Sequence, residues 1–170
     1  HQSRGEWSAQ QRYRELEESA PPSSPYWQRR EIITLDGNGA QIPFEWNQLT
    51  PGQQSAITSN PLDPASPYNG EEIVEFIRGD RSRELPDGRY RSRYHVIGDM
   101  LHSTPVHTGT PKDDSISDPT YEAYRSVNRD REGRIYVGAN DGMLHVFDDE
   151  DGTLVYSYIP SMLIPKLNRL

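Results

Sequence analysis

RIYVGANDGMLHVFDDEDGTLVYSYIP, residues 134–160, is the stretch on which the fold reading turns. Most of the chain is polar and broken by proline and glycine. Here apolar residues come in three short runs, and each break between them holds a glycine. RIYVGA, MLHVFD and TLVYSYI have the length and the β-branched and aromatic content of strands. Asn140-Asp141-Gly142 and Glu150-Asp151-Gly152 tolerate positive φ at low cost, so each break reads as a tight hairpin turn. STPVHTG, residues 103–109, reads as a further short strand ahead of this meander. Four antiparallel strands in succession make one blade of a β-propeller. A blade buries its faces against neighbouring blades, yet no second copy of the pattern occurs in the 170 residues. The expectation is a fragment of a larger propeller, with more blades beyond Leu170 or an absent partner.

Composition agrees with a modest core. Hydrophobic residues are 32% of the chain, and 13 glycines and 14 prolines favour loops. A formal net charge of −8 argues against nucleic acid, which selects a basic face. The absence of cysteine removes disulfides, thiolate metal sites and a cysteine nucleophile. No apolar run approaches the ~18 residues of a membrane-spanning helix.

Upstream, Ser8 is placed to cap a short helix with Ala9, Tyr13 and Leu16 on its thin apolar face, ended by PPSSP at 21–25. Residues 31–46 read as a hairpin: EIITL, a DGNG turn, then Ile42, Phe44 and Trp46 on one face. Pro43 marks an edge strand, since it cannot donate to a ladder. Thr50, Pro51 and Gln53 form a capping box for a helix. Asn69 caps a second helix whose Ile73, Phe76 and Ile77 share one face and whose C′ residue is Gly79. RYRSRY, residues 89–94, alternates as a strand with arginines on one face and tyrosines on the other. Residues 110–133 read as a long polar loop. The fold class expected is mainly β with some α. Residues 1–26 form a loosely ordered N-terminal segment, and 27–94 a mixed hairpin and helix lead-in. Residues 95–160 are the first four-stranded blade, and 161–170 an amphipathic exit toward the next.

The pieces together resemble a known family. GDMLHSTPVHTG at 98–109 and the 134–170 run are similar to the first propeller blade of PilY/PilC-type adhesin and assembly factors of the type IV pilus tip. REIITLDGNG, IPFEWNQLTPGQQ and EEIVEFIRGDRSRE resemble that family's segment before the propeller, so the likeness spans residues 27–170. It implies an exported, non-enzymatic protein of the pilus tip, outer membrane or extracellular surface. It further implies roles in pilus biogenesis, adhesion and twitching motility, with pilin or minor pilin subunits, or a host-cell surface, as partners. Family propellers can bind calcium through an Asp-rich loop of EF-hand type. No such loop is evident here: Asn128, Asp130, Glu132 and Gly133 start the pattern, but its twelfth position is Ala139, and DDEDG at 148–152 is too compressed. No cofactor is expected within these residues. An enzymatic alternative is a quinone-dependent dehydrogenase propeller, suggested by the DG-turn pattern. A structural alternative is an outer-membrane assembly scaffold.

Two groups of side chains invite a sharper reading. Arg78-Gly79-Asp80 spells an integrin-type adhesion tripeptide, but also reads as a helix end with a glycine cap. Arg89, Arg91 and Arg93 would form an anion-facing stripe if 89–94 were a strand, or a solvated face paired with the chain's acids. His102 and His145 read as core histidines, Asp141 and Gly142 as turn-makers, and Asp99 as a residue that could hold a neighbouring backbone. No catalytic and no metal-ligating residue is expected, because GxSxG, HExxH and phosphate-cradling glycine loops are missing.

Overall fold

The computed structural model describes residues 7–65, 67–113 and 115–169. In chain order it contains α1 (Ala9–Ser19), α2 (Tyr26–Arg29), β1 (Ile32–Leu35), β2 (Gln41–Pro43), α3 (Pro51–Thr58) and α4 (Gly70–Arg78). These are followed by β3 (Val106–Thr108), α5 (Pro119–Val127), β4 (Arg134–Gly138), β5 (Leu144–Asp148) and β6 (Leu154–Tyr158). Single-turn 3₁₀ geometry covers Trp46–Gln48, and a longer 3₁₀ run covers Ser161–Arg169.

The meander forms as its turns dictate. β3, β4, β5 and β6 lie side by side and antiparallel, with Val137, His145 and Ser157 opposite one another. A bulge after Val146 shifts the β5–β6 register, so Phe147 faces Leu154. The sheet does not stop at four strands. β1 adds in parallel beside β6, and β2 closes that end, giving the six-stranded order β2-β1-β6-β5-β4-β3. The expected four-stranded unit is therefore corrected to an open mixed sheet. The lead-in hairpin satisfies the β6 edge: Ser157 N–H donates to Glu31 O, and Ile159 N–H to Ile33 O, each at 2.9 Å. Pro43 stands on the outermost strand, where its missing N–H costs nothing. The class is also corrected, from mainly β to mixed α/β, because helices hold more of the described residues than strands do.

One face of the sheet carries the core. Ile32, Phe44, Ile57, Ile73, Val74, Ile159 and Ile164 join β1, α3, α4 and the C-terminal 3₁₀ run in one apolar cluster. Tyr13, Val96, Ile97, Val137 and Phe147 join α1 to β4 and β5 in a second. The two caps expected of the central helices form: Thr50 and Gln53 exchange bonds at the start of α3, and Asn69 accepts from Glu72 N–H at the start of α4. Ser8 caps α1, whose Tyr13 is 5% exposed, so this part of the N-terminal segment is docked and ordered. Residues 1–6 of that segment lie outside the described residues.

Two elements differ from the sequence reading. Residues 89–94 form no strand; Tyr90 makes a single bridge to Glu84, and Arg93 and Tyr94 exchange the sides expected of them, Arg93 buried and Tyr94 85% exposed. A period-2 pattern specifies a strand only where a ladder partner is at hand, and here the neighbour is the end of α4. Residues 110–133 contain α5, capped by Asp118 with Pro119 at its first position. Its Tyr121, Tyr124 and Val127 recur at helical spacing, but the helix buries none of them, so it lies on the surface as a polar-rich segment.

Gly79 ends α4 at φ 123°, its N–H bonded to Glu75 O and Phe76 O at 3.0 Å each. A Cβ at Gly79 would stand 2.9 Å from the Tyr13 hydroxyl and 3.1 Å from Trp27 Cβ. Gly79→Ala is expected to destabilise the fold by about 1–3 kcal/mol, from the backbone conformation and the crowding together. Urea unfolding checks this, with Gly37→Ala in the open β1–β2 turn as the neutral control.

Candidate functional site

The C-terminal end of α4 is held by buried arginines. Arg78 donates to Phe44 O at 3.0 Å, to Gln28 O at 3.1 Å and to Arg30 O at 3.3 Å, while Arg30 donates back to Arg78 O at 2.6 Å. Arg93 reaches Phe76 O at 2.7 Å and Asp80 O at 2.8 Å, and its guanidinium lies 3.7 Å from the centre of the Phe76 ring. Its counter-charge is Glu84, bonded at 2.7 Å with both side chains under a tenth exposed. Burial pushes the Glu84 carboxyl up, but the hydrogen bonds and charge of Arg93 outweigh it, and the group lies below the ordinary carboxylate range. Burial lowers both arginines from their usual value, against the opposing pull of Glu45 on Arg78 and of Glu84 on Arg93. Cations here also meet the negative end of the α4 dipole.

Arg78-Gly79-Asp80 is thus built into this junction. Asp80 accepts from Ser82 N–H at 3.0 Å and from Arg83 at 3.1 Å. The three arginines at 89, 91 and 93 do not share a surface: Arg93 is inside, Arg89 pairs with Glu72, and Arg91 is exposed.

A cleft of about 330 Å³ opens beside this junction, between Phe76, residues 93–99 and the β4–β5 turn. Asp141 forms its edge and starts a buried polar chain. Asp141 Oδ2 accepts from Gly98 N–H at 2.8 Å and Oδ1 from Met143 N–H at 3.1 Å. His145 Nε2 lies 2.8 Å from Asp141 Oδ2, and Nδ1 2.9 Å from Ser157 Oγ. A carboxylate can only accept, so Nε2–H donates to Asp141, and Nδ1 shares the second bond with the Ser157 hydroxyl. Burial pushes the Asp141 carboxyl up, but the bond and charge of His145 outweigh it and hold the group below its usual range.

Asp, His and Ser are the residue types of an acyl-transfer triad, and their arrangement tests that chemistry. His145 and Ser157 are both 0% exposed, so no substrate carbonyl reaches the serine oxygen. The chain instead makes three ties: the β4–β5 turn to residue 98, β5 to the turn, and β5 to β6. Ser157 carries no motif in the sequence; its signal is its place opposite His145 across two hairpin strands. Glu84 is equally invisible in a polar loop. Asp99 does hold a neighbouring backbone, through its carbonyl, which accepts from Asn140 N–H at 2.9 Å. His102 is exposed.

The acids of the 148–152 turn are engaged locally. Asp148 meets Arg134 at 2.9 Å, Asp149 meets His107 at 2.9 Å, and Asp151 accepts from Thr153 N–H and from Arg12. Among the described residues no group of three or more His, Asp or Glu side chains is placed to hold a metal ion, and no helix is long and apolar enough to cross a membrane.

Comparison with known proteins places the chain. A family model described as the PilY1 beta-propeller domain matches residues 97–168. The chain is 33% identical over 149 residues to the type IV pilus biogenesis factor PilY1 of Pseudomonas aeruginosa strain PAK, covering 84% of this chain and 13% of that protein. It is 35% identical over 151 residues to a PilY1 homologue of Xylella fastidiosa, covering 84% of this chain and 11% of that protein. The chain therefore spans about an eighth of the length of these relatives. No solved structure matches it.

Removing one partner of the buried ion pair leaves a charge uncompensated. Arg93→Met is expected to cost about 3–5 kcal/mol, and Arg93→Met with Glu84→Leu to recover most of it, measured by urea unfolding. Asp141 and Glu84 are depressed in the folded state, so their contribution is present above the unfolded carboxylate range and lost as pH falls through the lower folded values. In Asp141→Asn, the fall in stability below about pH 4 should be shallower than in the parent chain, read by thermal unfolding across pH.

Proposed function

The chain belongs to the PilY1 family, and from that premise we propose that it serves type IV pilus biogenesis as a binding module with no chemistry of its own. The observation that carries this is the extent of the likeness. It runs through 84% of the chain, lead-in and sheet together, in relatives named as type IV pilus biogenesis factors. The site geometry is compatible with binding without catalysis. The Asp141–His145–Ser157 chain is sealed from solvent at its serine end, and the arginines that bear the most contacts hold backbone carbonyls.

In this reading the protein is exported to the cell envelope and acts at the pilus tip, where it recognises pilin or minor pilin subunits. Adhesion to a host surface is a second role of the same exposed faces. Arg78-Gly79-Asp80 has no part in it, because the Arg78 side chain is 6% exposed and bonded to main chain. Any calcium bound by the full-length protein lies outside these residues, since the acids of the 148–152 turn are bonded to Arg134, His107, Arg12 and Thr153.

Deleting the encoding gene from its bacterium is expected to remove surface pili and twitching, with restoration by a wild-type copy. Electron microscopy and the yield of sheared pilin measure the outcome. Normal piliation in the deletion strain would overturn the proposal.

A further inference from the structure

A second cleft, of about 270 Å³, lies on the other side of α4 from the Asp141 chain. Trp27 of α2 and Trp46 of the 3₁₀ turn line it, and so do Glu45, Glu71 and Glu75. The Trp46 wall is fixed in place. Its ring fits against Gly70 so closely that a Cβ there would stand 2.4 Å from it, and Gln54 donates to its carbonyl at 2.7 Å. The Trp27 side is pinned where its Cβ meets Gly79.

The charge of the lining is unbalanced. Three carboxylates face one cation, Arg78, whose guanidinium is spent on the carbonyls of Phe44, Gln28 and Arg30 and stands 3.8 Å from Glu45. Glu75 is paired with Arg83 at 2.8 Å. Glu71 is exposed and has no ion-pair partner among the described residues. Indole faces attract cations, and a planar guanidinium both stacks on them and takes a carboxylate through paired N–H donors. The −8 net charge of the chain adds a long-range pull on a basic partner.

We propose that this Trp27–Trp46 cleft receives an arginine side chain from a partner protein, with Glu71 as its principal counter-charge. Aromatic anchors that fill or frame a pocket are where binding energy concentrates at protein interfaces. This deepens the reading of the chain as a binding module, but direct binding tests it separately. A cleft that fails to bind leaves the piliation result standing, and normal piliation leaves the binding result standing.

The probe is Nα-acetylarginine methylamide, titrated into the full 170-residue chain. The readout is the indole N–H signal of each tryptophan by NMR. The signals of Trp27 and Trp46 should move together and saturate, while that of Trp7, at the 149–152 turn, stays still. The citrulline analogue, equal in shape and uncharged, should bind at least fivefold more weakly, and so should the lysine analogue, which lacks the planar fork. Glu71→Gln should weaken arginine binding about fivefold, the weight of one partly screened carboxylate, and leave the melting temperature unchanged. Absence of shifts at Trp27 and Trp46 would overturn the proposal. Equal binding of citrulline would reduce the cleft to an apolar surface, equal binding of lysine would remove the preference for arginine, and unchanged affinity in Glu71→Gln would remove the counter-charge. Each of these overturns the assignment.

Discussion

The parallel pairing of β1 with β6 is the contact on which the rest of the structure depends. A meander of three long strands and one short one leaves an outer edge of unpaired N–H and C=O groups, which invites association or must be covered. Here β1 covers it, through two-residue register pairing and the flanking bonds from Ser157 and Ile159 to Glu31 and Ile33. Thr34 adds a buried side-chain bond to Ile159 O at 2.8 Å. Because β1 belongs to the lead-in, this one edge brings α3 and α4 onto the core face of the sheet. Two segments that read separately in sequence then share a core containing Ile32, Phe44 and Ile159.

That core is small for the chain, and polar ties take over where apolar side chains run out. Arg78 ties the C-terminal end of α4 to the carbonyls of Phe44, Gln28 and Arg30, and Arg93 bonds the carbonyls of Phe76 and Asp80 at that end. His145 and Ser157 lie inside the sheet layer and hold Asp141 over the residue-98 backbone. Such groups cost desolvation, and their benefit comes from complete pairing, so each is sensitive to loss of a single partner. The same polar interior explains why Arg78, Arg93, His145 and Ser157 sit in structural positions. A buried, fully bonded arginine or serine has nothing left to offer a ligand.

Much of the local structure was legible. The N-caps at Ser8, Thr50 and Asn69, the apolar spacing of Ile73, Phe76 and Ile77, and the Asp-Gly turns act within a few residues, and all of them form. The hairpin with Pro43 on an edge is in place for the same reason. What failed was any inference that needed a distant neighbour. RYRSRY alternates perfectly and is no strand, since Arg93 finds Glu84 and the end of α4 before any ladder forms. The helix at Pro119–Val127 was missed although Asp118, Pro119 and the spacing of Tyr121, Tyr124 and Val127 signal it, because it lies within a polar stretch and buries no residue. Of the candidate sites, the buried Asp141–His145–Ser157 chain and the Trp27–Trp46 cleft join residues 16 and 19 positions apart, respectively, and neither has a local pattern.

By itself the sequence determined the turns, the caps and the family, because each is written in contiguous residues or in motifs of short span. Only the tertiary structure decided that the meander is extended to a six-stranded sheet, that Arg78 and Arg93 face inward, and that two tryptophans and three carboxylates line one cleft. Those outcomes rest on which unpaired edge and which unsatisfied carbonyl each segment meets once it has collapsed. That is a property of the packed chain, where the desolvation of a polar group is settled by whatever partner lies within about 3 Å.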